Sequence, residues 1–183
     1  MYYSVSVDGK EISRVVNKDP RTFQNVRVFA GTKSAPAADA SYRNLVWERG
    51  LSGSFQEDKL LSTVPEWGPV FSVSLDLKLS SLSVKDAWLI QFIEASKDSG
   101  SGCCDVGTRV PAINIYQKKG RTFEFAMGLG KKDFVDRKFK VKKGKWYSIH
   151  ITQKLEDGTV DWTTARLFYF IQFRNSVLVR CFC

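Results

Sequence analysis

The chain has 183 residues, 43% of them hydrophobic and 13% aromatic, and a formal net charge of +9. That length suits one domain with a core that needs neither metal nor disulfide to form, and the composition lies far from those of disordered chains. No run approaches the roughly 18 uninterrupted apolar residues of a membrane-spanning helix, and Met1 to Gly9 lacks the basic and apolar blocks of a secretory leader, so neither feature is expected.

The dominant period along the chain is two, the period of half-buried strands, and helical spacing is nearly absent. Tyr3 to Val7 alternates, Asp8-Gly9 supplies the φ-permissive chemistry of a tight hairpin, and Ile12 to Val16 returns antiparallel. Val26 to Phe29 predicts a short strand, Ala35 to Ala40 a loop, and Tyr42 to Trp47 another strand. Gly50 to Ser54 is small, polar and bounded by glycine, and reads as a linker or turn.

Beyond it, Phe71, Val73, Leu75, Leu77 and Leu79 share one face of a strand, with Ser72, Ser74, Asp76, Lys78 and Ser80 on the other. Trp88 to Ile93 is a more continuously apolar run, as a strand covered on both faces would be, and Ser96 to Gly107 is a polar, Gly-rich loop. Ala112 to Tyr116, Thr122 to Ala126, Phe139 to Val141 and Trp146 to Gln153 complete a series of short strands. Such a series predicts an all-β fold, an antiparallel two-sheet β-sandwich or barrel. The crossover helices of a parallel α/β fold are missing.

Lys145 to Gln153 resembles the Trp-x-x-Ile-x-Ile-x-Gln strand of many laminin-G-like and concanavalin-A-like jelly-roll domains. In those domains that strand runs into a Tyr-x-Val-x-Val-Asp-Gly hairpin, which here stands at the opposite end, in Tyr3 to Lys10. Arg43 to Glu48 is similar to their final strand, and Leu60 to Leu77, with Pro65-Glu66-Trp67-Gly68-Pro69, to their opening strands. The resemblance implies a sandwich whose strands occur in permuted order: residues 1–50 as closing strands, 51–57 as a linker and 58–165 as opening and middle strands. The same order would arise from a cut through a tandem array. Residues 166–183 depart from the pattern. They carry no Asp or Glu and crowd Leu167 to Phe173 with apolar side chains, and they read as an aggregation-prone extension or an extra edge strand.

Charge is the feature that bears most on function. Lys118 to Lys145 holds eleven basic and three acidic residues, an excess of eight out of the formal +9. Around Phe139 and Val141 the alternation sends Lys138, Lys140 and Lys142 to solvent, with Arg137, Lys143 and Lys145 at the ends of the strand, and Lys131 and Lys132 join them as candidate polyanion-binding residues. A stripe of this kind suits regularly spaced anions: sulfated glycosaminoglycan, nucleic-acid phosphate or an anionic membrane. The alternative is a solvated strand face. Laminin-G-like domains often bind sulfated sugars, so the resemblance implies a non-catalytic, extracellular or cell-surface adhesion module. Its partner would be a sulfated polysaccharide or a protein, with no specific nucleic-acid motif. The competing expectation is a lectin or glycoside-active enzyme of the same fold, with Trp47, Trp88 or Tyr116 lining a concave face.

Catalytic signals are weak. His150 lies mid-strand, and Gly-x-Ser-x-Gly, HExxH and phosphate-cradling loops are absent. Asp76 and Glu124 lie on strands and could be imagined as a glycosidase pair, but neither belongs to a Glu-x-Asp-x-Glu strand, so both read as surface groups. No cofactor is expected. Relatives of this fold often hold Ca²⁺, for which Asp39, Asp98 and Asp105 are loop candidates, but their spacing matches no calcium motif and no ligand is assigned. Cys103-Cys104 and Cys181 with Cys183 lack zinc-site spacing; disulfides and free thiols both remain open.

Overall fold

The computed structural model describes residues 1–31, 38–47, 51–54, 59–81, 87–94, 109–116, 122–129, 132–136 and 138–154, with the backbone alone for 51–54, 109, 132 and 133. These residues form twelve strands and no helix: β1 (Tyr2–Val7), β2 (Lys10–Val16), β3 (Phe23–Ala30), β4 (Ala40–Val46), β5 (Leu51–Ser54), β6 (Lys59–Trp67), β7 (Phe71–Leu79), β8 (Ala87–Glu94), β9 (Arg109–Tyr116), β10 (Thr122–Leu129), β11 (Lys132–Asp136) and β12 (Trp146–Lys154). Among them no helix is long and apolar enough to cross a membrane.

The strands make two six-stranded sheets in which the observed pairings are antiparallel. The first runs β2-β1-β12-β7-β4-β5 and the second β11-β10-β9-β8-β3-β6. Strands from before residue 47 and after residue 58 mix in both. β1 lies against β12, with Tyr2 opposite Lys154 and Val7 opposite Ile149, and β3 lies between β6 and β8.

The two sheets pack face to face because each presents an apolar row. Tyr3, Val5, Leu75, Leu77, Ile149 and their neighbours close over Val28, Ile90, Phe92, Phe123 and Phe125, all of them buried. Aromatic contacts bridge the sheets: Tyr3 with Phe134, Trp47 with Phe92, Trp67 with Phe71 and Phe123 with Tyr147, ring centroids 5.4 to 5.7 Å apart. The fold is the expected β-sandwich.

Local chemistry explains the details. Asp8 and Gly9 carry φ of 52° and 77°, as a two-residue type I′ hairpin requires, and Asp-Gly is among the residue pairs that favour that turn. Proline, which cannot donate to a ladder, is tolerated at two places. Pro65 lies on the edge strand β6, and Pro111 falls at the register shift between β8 and β9. Asn44, at φ 53°, occupies the bulge where β4 slips against β7.

Two expectations need correction, and one strand was not foreseen. Leu51–Ser54, read as a linker, forms β5 on β4; its small side chains carry no strand signal, and its pairing is made by the backbone. Lys132–Asp136 forms β11 although Lys and Asp are poor strand formers, since an edge strand needs only one partner. Phe139 to Val141 is not a strand: it is an extended connection with one isolated bridge, Lys140 opposite Thr122. The 96–107 loop, residues 55–57 of the linker and the 166–183 tail lie outside the described residues.

Candidate polyanion-binding surface

Residues 138–145 are the connection that leaves the second sheet and enters the first at Trp146. Crossing between sheets obliges this segment to run over the side of the sandwich, and its alternation decides which side chains meet water. Phe139 lies parallel to Phe123 at 6.2 Å and edge-on to Tyr147 at 5.5 Å, and Val141 is buried. Between and beyond them Lys138, Lys140, Lys142, Lys143 and Lys145 are exposed.

The backbone of the segment is pinned. Phe123 N–H donates to the Phe139 carbonyl at 2.9 Å, Lys142 N–H to the Tyr147 hydroxyl at 2.7 Å, and Gly144 N–H to the Leu79 carbonyl at 2.7 Å. Gly144 has φ 75°, which favours glycine at this turn. The lysines therefore stand on a fixed rail.

Their electrostatic surroundings differ. Lys138 Nζ lies 3.6 Å from Asp136 Oδ2, a buried carboxylate that also accepts the Lys138 N–H at 2.9 Å. Burial, and secondarily the Asp136 charge, drives the Tyr3 hydroxyl far above the usual phenol range. Lys145 Nζ donates to Asp8 Oδ2 at 2.8 Å, while Asp8 Oδ1 accepts the Ser148 N–H at 3.0 Å. The Lys145 bond is the main reason that Asp8 is held below the ordinary carboxylate range and that the Lys145 ammonium is held above its own. Among the described residues Lys140, Lys142 and Lys143 make no ion pair. Lys131 and Arg137 lie outside the described residues, and Lys132 contributes its backbone to β11.

The other candidates are scattered. Asp76 projects from the outer face of the first sheet, where Arg43 Nε and Asn44 Nδ2 each donate to its Oδ2 at 3.0 Å. Glu124 belongs to the outer face of the second sheet; far from being a surface group it is buried, and it accepts from Asn114 Nδ2 at 3.0 Å. Its burial went unseen because β8, β9 and β10 are covered on both faces: Gln91, Ile93, Ala112 and Ala126, all pointing away from the main core, are buried too. The two carboxylates thus point away from opposite sides of the sandwich. Sheets packed about 10 Å apart place outward groups well beyond the roughly 5 to 9.5 Å that a glycosidase pair needs.

His150 is exposed on the first sheet, its Nε2 2.9 Å from Ser72 Oγ. Among the described residues no carboxylate orients its other nitrogen, so this pair lacks the third member that activates a serine. Trp47 is partly buried and packs against the core, its ring edge-on to Phe92. Trp88 and Tyr116 are half-buried on β8 and β9.

Among the described residues no three His, Cys, Asp or Glu side chains gather as metal ligands. Asp39 is exposed, and its carbonyl accepts the Ser80 and Ser81 N–H groups. Asp98, Asp105 and the four cysteines, Cys103, Cys104, Cys181 and Cys183, lie outside the described residues.

One cluster was not singled out from sequence. On the outer face of the first sheet the Arg43 guanidinium carbon lies 4.2 Å from the centre of the Trp146 ring, and Lys78 Nζ lies 5.0 Å from it. Period two puts Lys78 and Trp146 on solvent faces, but their adjacency appears only once β7 and β12 pair with Trp146 opposite Lys78. No family model matches the chain, and no curated protein or solved structure matches it either.

Proposed function

We propose that the chain is a non-catalytic recognition module that binds an acidic polysaccharide of the sulfated glycosaminoglycan type through the crossing segment 138–145. The observation that carries this reading is the state of Lys140, Lys142 and Lys143: exposed, without an ion pair among the described residues, and mounted on a backbone tied down by three hydrogen bonds. A solvated strand face needs charge but no rigid rail. Fixed cations lose less conformational freedom when an anion docks, and preorganisation of this kind turns loose charge into affinity. The resemblance of Trp146 to Gln153 and Tyr3 to Lys10 to laminin-G-like motifs supports the same reading, and with it an extracellular or cell-surface setting.

A glycoside-active enzyme gains no support from the described residues, since Asp76 and Glu124 diverge and Trp47 packs against the core. The test is elution from immobilised heparin in a salt gradient, alongside Lys138→Ser/Lys140→Ser/Lys142→Ser/Lys143→Ser. Late elution of the wild type and early elution of the variant is the expected result. Equal elution of the two, or passage of the wild type at low salt, would reject the reading.

A further inference from the structure

We infer that the binding track does not stop at the crossing segment but turns the corner of the sandwich onto the first sheet. There Lys78 and Arg43, held against Trp146, form a second anion subsite for the same acidic polysaccharide. The inference rests on the polyanion reading above and names residues that reading does not contain.

Connection between the two stretches is direct. Gly144 N–H is bonded to the Leu79 carbonyl, so the Lys142 to Lys145 turn sits on the end of β7 beside Lys78. Trp146 follows Lys145 in the chain and faces Lys78 across the ladder, and Arg43 reaches over from β4, the strand beyond β7. With two inter-strand spacings of about 4.8 Å and one inter-sheet gap of about 10 Å, the track from Lys140 to Arg43 is on the order of 20 Å. A single sugar would not span it; a chain of several would.

The subsite's chemistry selects an oxyanion. Arg43 donates Nε to Asp76, and among the described residues its terminal nitrogens make no hydrogen bond, which leaves the side of the guanidinium fork that pairs with a sulfate or carboxylate. Lys78 is half-buried and makes no ion pair among the described residues. Both cations are held against the ring beneath them, at 4.2 and 5.0 Å from its centre. Three acidic groups oppose the track and limit its net charge: Asp76 on Arg43, Asp8 on Lys145 and Asp136 on Lys138.

Two competing partners fit less well. Single-stranded nucleic acid binds by stacking bases on open aromatic rings, and Trp146 already carries two cations over its ring. A membrane is flat on this scale and would not touch both the side of the sandwich and the outer face of its first sheet, whereas a flexible linear polyanion would.

The experiment compares the wild type with Arg43→Gln/Lys78→Gln and with Asp76→Asn, using size-defined heparin fragments and single-stranded DNA as probes, with folding of each variant checked by thermal melting. For a long fragment, the double variant is expected to bind about tenfold more weakly, and its slope of log affinity against log salt to fall by about 1.5, as for two lost ion contacts. For a disaccharide, confined to one subsite, little change is expected at the crossing segment. Asp76→Asn, which removes an opposing charge without changing size, should tighten long-fragment binding about threefold, a gain that misfolding does not produce. If the variants bind all fragments as the wild type does while the lysine-to-serine variant does not, the corner subsite is wrong and the crossing segment stands. If the wild type binds no fragment, both readings fall. If DNA binds as well as heparin and suffers the same loss, the track is real but the acidic-sugar assignment is overturned.

Discussion

The outer faces of the two sheets are built from similar strands and meet opposite fates. On the first, β7 and β12 alternate strictly, with Ser72, Lys78, Ser148 and His150 exposed or half-exposed opposite a buried row of Val, Leu, Ile and Tyr. On the second, Gln91, Ile93, Ala112, Asn114, Glu124 and Ala126 are buried although they point away from the core. Asp76 and Glu124 make the contrast concrete. The first is held by an arginine and an asparagine at the surface, the second by an asparagine in the interior. One face is free to meet a partner; the other is part of the protein's inside.

The largest expected effect breaks that contrast directly. Ala126→Glu, at a site with 0% exposure, would bury a charge and overfill the site, and should cost about 3 kcal/mol or more. Ser74→Glu, on the half-exposed face of β7, should stay within about 0.5 kcal/mol. Urea denaturation midpoints would measure both, and equal losses would mean that the two faces are not distinct.

Gln91 sharpens the same point. Both polar atoms of its side chain are buried and, among the described residues, have no hydrogen-bond partner, an arrangement that penalises the folded state. Replacing it with the apolar, similarly shaped Met is expected to stabilise the protein by about 1 kcal/mol, read as a rise in melting temperature. A fall would mean that the amide is satisfied in solution.

The smallest effect lies at the tip of the first sheet. Asp8 is held below its unfolded pKa of about 3.9 mainly by Lys145, so its contribution to stability is complete above that pH and is lost as pH falls through the lower folded value. Asp8→Asn, which tolerates the positive φ, should flatten this part of the acid transition, measured as melting temperature against pH, and salt should weaken the effect in the wild type because the pair is exposed.

How much of this was legible in the sequence follows from the same contrast. Where one face meets water, as in β7 and β12, the period of two is written in the residues, and the strands and their buried rows were readable. Where both faces are covered, as in β8, the largely apolar run from Trp88 to Ile93 signalled burial, but nothing marked Glu124 as interior, because Thr122 to Ala126 alternates polar and apolar residues as a strand with one solvent face does. β5 and β11 were missed for a related reason: backbone pairing can recruit Ser, Gly, Lys and Asp that carry little strand propensity. The lysines of 138–145 were legible as an alternating basic run. That they ride on a sheet-to-sheet crossing, and that Arg43, Lys78 and Trp146 continue their path, depends on register between strands tens of residues apart.

The central claim is that fixed, unpaired lysines on this crossing bind a polyanion. Its most direct test is heparin affinity measured by calorimetry over a range of salt concentrations, for the wild type and for Lys140→Ser/Lys142→Ser/Lys143→Ser. The slope of log affinity against log salt should become shallower by roughly 2 to 3 in the variant, one contact for each lysine removed. An unchanged slope and affinity would contradict the claim, leaving the crossing segment as a solvated edge of the sandwich.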